Sequence, residues 1–385
     1  MKNCRLLFGL ALLLSLAGLT SCKPEVTDPD PDVETPTFRA ETVLTGYGII
    51  WGMDFLPNGD LLFTEKSGRL RRFSNGSTTE ITGLPTDIDT RSQGGLLDLR
   101  VHPQYASNGW IYASYAGSVA GSAATRLNLI RFKISNTQIT DLETIFQTVA
   151  TNTWQGHYGS RIEFDNSGFL YLSVGEGGGQ TLGGESSPNK NAQDVTVGWG
   201  KVHRMTDSGQ VPTDNPVLPG QSAPTTIYSY GHRNPQGLAF NPTTNQLWET
   251  EHGPRGGDEI NIVQKGANYG WPLVSNGINY DGSTISASPT RDGIQAPLFT
   301  WTPSIGTSGL TFITSDNFGD WKGSLVTGAL ALEYLSICQL NNNQVVSEAK
   351  LLEGQGRIRN VKQGPNGNLY VSIESPGRIV QIIPE

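Results

Sequence analysis

The chain has 385 residues, with 27 Lys and Arg against 35 Asp and Glu and a formal charge of −8. Only 16% of the residues are charged and 47 are glycine, which excludes coiled coils and long helical architectures. An apolar content of 36% excludes wholesale disorder, and the acidic balance argues against a nucleic-acid partner, which needs a basic face.

Lys2 and Arg5 open the chain, and Leu6 to Leu19 is almost wholly apolar. That run is short for a membrane span and reads as the apolar core of a signal peptide. Leu19-Thr20-Ser21-Cys22 resembles a bacterial lipobox. Residues 1–21 are therefore expected to be a lipoprotein signal, with Cys22 as the acylated first residue of the mature chain. An ordinary signal peptide with a chance cysteine is the alternative. Residues 22–37 are acidic and proline-rich, a stiff solvated tether. The expected membrane attachment is lipid at Cys22 alone, and the expected location is outside the cytoplasm, facing the periplasm or at the outer membrane or cell surface. Of the three cysteines only Cys338 falls within 38–385, so no disulfide can form inside that segment. Between Ile337 and Gln339 it reads as a small buried hydrophobe.

From Phe38 onward one pattern recurs: a turn rich in Asn and Gly, then a short apolar strand. The turns open at Asn58-Gly59, Asn108-Gly109, Ser167-Gly168, Asn245-Gln246, Lys322-Gly323 and Asn366-Gly367. The fourth is the weakest. Such turns feeding β-branched and aromatic runs are hairpin signals. Six units at roughly blade-sized spacing predict an all-β chain, a six-bladed β-propeller over 38–385. Two long steps, of 77 and 78 residues, leave room for loops around 177–235 and 264–305. The terminal run Arg378–Ile383 is expected to complete a blade begun near Phe38. Irregular spacing leaves a pair of β-sandwiches as the alternative.

Polar constellations cluster in the turns. His157, among glycines before the strand run Ile162-Glu163-Phe164, can take a proton from an alcohol, or serve as a structural loop histidine. In Gly231-His232-Arg233-Asn234-Pro235-Gln236-Gly237, Arg233 can pair with a carboxylate and Asn234 and Gln236 bring amide groups. Glu251-His252-Gly253-Pro254 through Asp258-Glu259 combines exposed carbonyls with acids, which suits a hard cation such as calcium; its glycines can equally serve tight turns. Arg357 and Arg359 share one side of an extended segment, either a patch for an anion or a solvated edge. A Rossmann glycine fingerprint and a GxSxG elbow are both missing from the sequence.

Taken together, these motifs resemble the soluble quinoprotein glucose dehydrogenase and aldose sugar dehydrogenase family, also called the glucose/sorbosone dehydrogenase family, from about Thr42 to Ile382. The most specific stretches are Gly231–Gly237 and Glu251–Pro272. The family fold is a six-bladed propeller, and its cofactor is pyrroloquinoline quinone (PQQ) held over calcium. The resemblance implies that His157 is the catalytic base, that Gln93 lies near quinone and substrate, and that Arg233 stabilises developing negative charge. It implies that Asn234 binds the cofactor and that Arg357 and Arg359 bind its carboxylates. It further implies that the carbonyls of Gly253 and Pro254 hold calcium at the cofactor, that Glu259 and Tyr269 hold a second calcium, and that Trp301 walls one side of the site. One departure stands out. The family usually has a lysine after Gly-Ala-Leu in the fifth unit, where this chain has Ala331.

The leading expectation is a PQQ- and calcium-dependent oxidation of an aldose at its anomeric carbon to the lactone. Electrons would pass to an external acceptor other than nicotinamide. A non-enzymatic ring that binds a glycan or protein is the second reading, and a calcium-dependent lactone hydrolase the third. A polar set gathered in one cavity favours the enzyme; a scattered set favours the binder.

Overall fold

A computed structural model describes residues 37–178 and 182–385. The expected signal, Cys22 and the tether up to residue 36 lie outside the described residues. Twenty-four strands form six antiparallel four-stranded sheets, each built from strands consecutive in the chain except the last. The innermost strands are Ile50–Phe55, Leu96–Val101, Ile162–Phe164, Pro235–Phe240, Thr307–Phe312 and Ile358–Gln363. Among the described residues helix is confined to Tyr105–Asn108 and a 3-10 segment, Asp316–Trp321, and none of it is long and apolar enough to cross a membrane.

Each sequence unit marks the hairpin between the first and second strand of a blade. The turn residue needs positive φ: Gly59 has φ 89°, and in the weak fourth unit Asn245 takes the role at φ 53°. Asn is among the few residues with a side chain that visit this region readily. The second strands Leu61–Glu65, Leu170–Val174, Leu247–Glu251 and Leu325–Ala329 are buried at every position. A blade packs neighbours on both faces, so these strands read as near-continuous apolar runs. Outer strands such as Gln138–Gln147 meet water and read as mostly polar.

The sixth blade closes the ring. Its outer strand is Phe38–Tyr47, paired antiparallel with Gly377–Pro384 from Phe38 opposite Pro384 to Tyr47 opposite Gly377. A Cβ on Gly377 would collide with the Gly48 carbonyl, so only glycine lets the two ends lie together. Cys338 is fully buried in the strand Leu335–Asn341, and burial pushes its thiol up to about 12.

Candidate functional site

The inner strands all start at the same end of the ring, and the antiparallel second strands finish there. Each blade therefore delivers two sets of residues to one face: those before its first strand and those after its second. Gln93, His157, Asn234 and Arg357 belong to the first set. Lys66, Glu176, His252, Leu330 and Glu374 belong to the second. Most of these nine line one cavity of about 270 Å³, together with Trp51, Tyr158 and Gln236.

Of the residues expected from sequence, Gln93, Asn234, Arg357 and Arg359 line this cavity. His157 stands at its edge: its backbone N–H donates to Oε1 of Gln93 at 2.9 Å, and its neighbour Tyr158 forms part of the wall. The loop holds His157 at φ 46°, and its carbonyl sits where a Cβ on Gly175 would collide with it. Nδ1 of His157 lies 2.8 Å from Oε1 of Glu176. A carboxylate accepts, so Nδ1 carries the proton and Nε2 keeps its lone pair. Glu176 was not anticipated from sequence. Its own backbone N–H donates to the Arg233 carbonyl at 2.8 Å, which locks the dyad to the fourth blade.

Arg233 is 3% exposed. Its Nη1 donates to the carbonyls of His252 (3.2 Å) and Gly253 (2.9 Å), while Nε and Nη2 have no hydrogen-bond partner among the described residues. Its guanidinium stacks near Trp271 at 5.1 Å and Tyr280 at 6.0 Å. Those aromatics come from the long loop after Ile262. That loop packs on the one after Val174 through Asn279, whose Oδ1 accepts from the Gly183 N–H at 2.7 Å. Asn234 accepts from the Gly159 N–H at 3.1 Å and from Gln236 at 3.2 Å, tying the third blade to the fourth. His252 donates through Nε2 to the Thr307 carbonyl at 2.6 Å, and burial drops its pKa to about 4, so it is neutral.

Arg357 and Arg359 converge on one carboxylate. Their Nε groups donate to Glu374 Oε2 at 3.0 Å and Oε1 at 2.9 Å. Arg357 also reaches the Leu330 carbonyl at 2.9 Å, beside exposed Ala331. Beneath the cavity Arg161 lies over Trp51 at 4.0 Å.

Trp301 does not wall the cavity. It ends the outermost strand of the fourth blade, opposite Asp258, and is 5% exposed. It packs into the apolar layer with Ile260 and Leu310, and its indole N–H donates to Glu348 at 3.1 Å. Pairing with the blade turns the segment into an edge strand instead of a loop, and the aromatic wall is Trp51 of the first blade.

Gly253 and Pro254 lie in a buried turn, and the Gly253 carbonyl is shared with the Arg233 guanidinium. Next to it Glu249 and Glu251 are buried with His232, within 4.8 Å of one another. His232 pairs with Glu249 at 2.8 Å; burial opposes its charge, but the Glu249 carboxylate wins and raises it to about 9. Glu259, opposite Glu251 in the sheet, is pushed up to about 8 by burial and then by the Glu251 charge. Glu249 and Glu251 thus gather around one imidazolium with the carboxyl of Glu259 behind Glu251, and among the described residues Oε2 of Glu249 and Oδ1 of Asn261 have no hydrogen-bond donor. An excess of oxygen acceptors is the donor set a hard cation takes. Tyr269 meets this cluster by stacking on His232 at 4.5 Å, while its hydroxyl is spent on the Ile262 carbonyl and the Gln264 N–H.

The sequence model of the Glucose / Sorbosone dehydrogenase family matches residues 48–381. The chain is 39% identical over 342 residues to the aldose sugar dehydrogenase YliI of Escherichia coli, covering 87% of this chain and 90% of that one. It is 32% identical over 247 residues to quinoprotein glucose dehydrogenase B of Acinetobacter calcoaceticus, covering 60% and 50%. Among solved structures, the apo-form of the soluble aldose sugar dehydrogenase of Escherichia coli superposes with a TM-score of 0.82 at 35% identity, covering 91% of this chain and 100% of that one. The PQQ-bound aldose sugar dehydrogenase of Streptomyces coelicolor superposes with a TM-score of 0.71 at 27% identity, covering 91% and 100%.

Proposed function

The chain belongs to the glucose/sorbosone dehydrogenase family, and we propose that it oxidises an aldose at the anomeric carbon to the lactone, using pyrroloquinoline quinone and calcium. The observation that carries this reading is the convergence of Gln93, Asn234, Arg357 and Arg359 on one cavity with the His157–Glu176 dyad at its edge. A binding module predicts a scattered polar set; this one is gathered.

The residues present fit the cofactor. Arg357 and Arg359 offer cations for carboxylates. The unmatched N–H groups of buried Arg233 suit an acceptor oxygen. The quinone, when bound, supplies the hydride acceptor. Everything else falls to the chain. Nε2 of His157 takes the proton of the anomeric hydroxyl, and Glu176 holds the opposite ring nitrogen so that the charge formed is matched. Arg233 stabilises an oxygen that gains negative charge. The loops carrying Tyr280 and Gly183 border the Arg233 side and set which sugar enters. Electrons then leave for an external acceptor other than nicotinamide.

Calcium fits the buried oxygens of Glu249 and Glu251, with Glu259 opposite Glu251 in the sheet, because a bound cation would favour the charged forms that burial opposes. Lipid at Cys22 would hold the ring outside the cytoplasm; incorporation of labelled palmitate, lost in Cys22→Ala, checks this. The cofactor reading is tested by calorimetric titration of residues 38–385, loaded with calcium, with PQQ. Stoichiometric binding is expected; a folded, calcium-loaded protein that takes up none contradicts it.

A further inference from the structure

The cavity holds three cations against one carboxylate. Lys66, Arg357 and Arg359 line it with Glu374, and Glu374 is already shared between the two arginines. Lys66 stands just past the second strand of the first blade, and the fifth-blade turn at Leu330-Ala331, one blade removed, reaches the same cavity through Leu330. Lys66 donates through its ammonium to the Thr90 carbonyl at 3.1 Å. It is half-buried. Burial and the positive charge of Arg359 disfavour its ammonium, while Glu374 and Asp89 partly restore it.

The local backbone is built to put it there. Gly95, at φ 141°, lies flat against Lys66, and a Cβ on Gly95 would collide with both the carbonyl and the Cγ of Lys66. The loop that brings Gln93 into the cavity therefore also presses on the Lys66 stem. The Lys66 N–H is fixed to the Ile49 carbonyl at 2.9 Å, and Ile49 lines the same cavity. A solvated surface lysine has no use for such a cradle.

We propose that Lys66 is a ligand-binding residue, the third cation of an anion cradle completed by Arg357 and Arg359, and that it takes over from the first blade the charge that Ala331 does not supply from the fifth. This rests on the cofactor reading above, since PQQ carries three carboxylates and the two arginines share Glu374. A third ammonium matches a third anionic group as a point charge.

The test is calorimetric titration of calcium-loaded wild type, Lys66→Gln, Lys66→Arg and the double variant Lys66→Gln/Ala331→Lys with PQQ, with thermal unfolding of each as a check on folding. Lys66→Gln is expected to bind about tenfold or more weakly at an unchanged melting temperature. Lys66→Arg should restore most of the loss, and so should the double variant, because charge is what was removed. Lys66→Gln binding as tightly as wild type overturns the inference and leaves the cofactor reading standing. Loss in Lys66→Gln that neither cation restores also overturns it, since the residue would then act through the fold. Wild type that binds no PQQ overturns the cofactor reading itself, and this inference with it.

Discussion

Nδ1 of His157 stands 2.8 Å from Oε1 of Glu176, a carboxylate side chain with no solvent exposure. That contact fixes the tautomer and leaves Nε2 as the only ring nitrogen able to accept a proton. His157→Ala is expected to lower turnover with an artificial dye acceptor by about 100-fold to 10,000-fold while PQQ binding persists. Glu176→Gln should lower kcat more than it changes KM. Steady-state kinetics of both variants check this, and unchanged turnover in His157→Ala removes it from the role of base.

Glu259 faces Glu251, and its pKa is pushed up to about 8 by burial and that neighbour. Glu259→Gln is expected to act in opposite directions on two measurements. It should stabilise the calcium-free protein, because a carboxyl whose charge burial and Glu251 oppose is replaced by a neutral amide, and weaken calcium binding, because a ligand able to ionise disappears. Thermal unfolding with chelator and with calcium separates the two. A variant stabilised by calcium as strongly as wild type argues against calcium at this cluster.

Arg161 reaches four other blades. It donates to the Gln236 carbonyl at 2.6 Å, the Arg359 carbonyl at 2.8 Å, Asp98 at 3.1 Å and the Trp51 carbonyl at 3.4 Å. Burial lowers its pKa to about 10, so it is still charged at neutral pH. Arg161→Leu strands Asp98 as a buried carboxylate and is expected to cost about 3–5 kcal/mol in denaturant unfolding. Asp98→Asn in the same chain should recover part of that. Full stability in Arg161→Leu would show that the axial tie is dispensable.

His203 is 1% exposed, donates through Nε2 to the Gly198 carbonyl at 2.9 Å, and burial lowers its pKa to about 4. Its folded pKa lies below the unfolded value near 6.5, so the unfolded chain binds the extra proton first. Its contribution is complete above about pH 6.5 and is lost as pH falls through 4, on the order of 3 kcal/mol at full protonation. His203→Gln should flatten the stability profile between pH 6.5 and 4. A profile as steep as wild type contradicts the assignment.

The six blades were legible because each carries its own local signal: a turn that needs positive φ, then a strand buried on both faces. Ring closure was legible from the apolar terminal run Arg378–Ile383, which pairs with the strand opening at Phe38. His157, Arg233 and Asn234 stand out in the sequence because they sit in dense polar turns before inner strands, Arg357 and Arg359 because they share one side of an extended segment, and Gln93 only through the family resemblance. Lys66, Glu176, His252 and Glu374 were not assigned roles from sequence. Each stands just beyond the end of a second strand, and only closure of the ring brings Lys66 and Arg359 into one cavity. The signal that finds them is positional: the residues following each buried second strand share the face of those preceding each inner strand. Trp301 was misplaced for the converse reason. Its Thr-Pro neighbourhood looks like a loop, and only pairing with Asp258–Ile262 reveals an edge strand.

The most direct measurement is anaerobic: an aldose is added to calcium-loaded protein carrying stoichiometric PQQ, and the quinone absorbance is followed. The account predicts loss of the oxidised quinone spectrum with one lactone formed per quinone, in wild type and not in His157→Ala. A bound quinone whose spectrum no aldose alters would contradict sugar oxidation at this site.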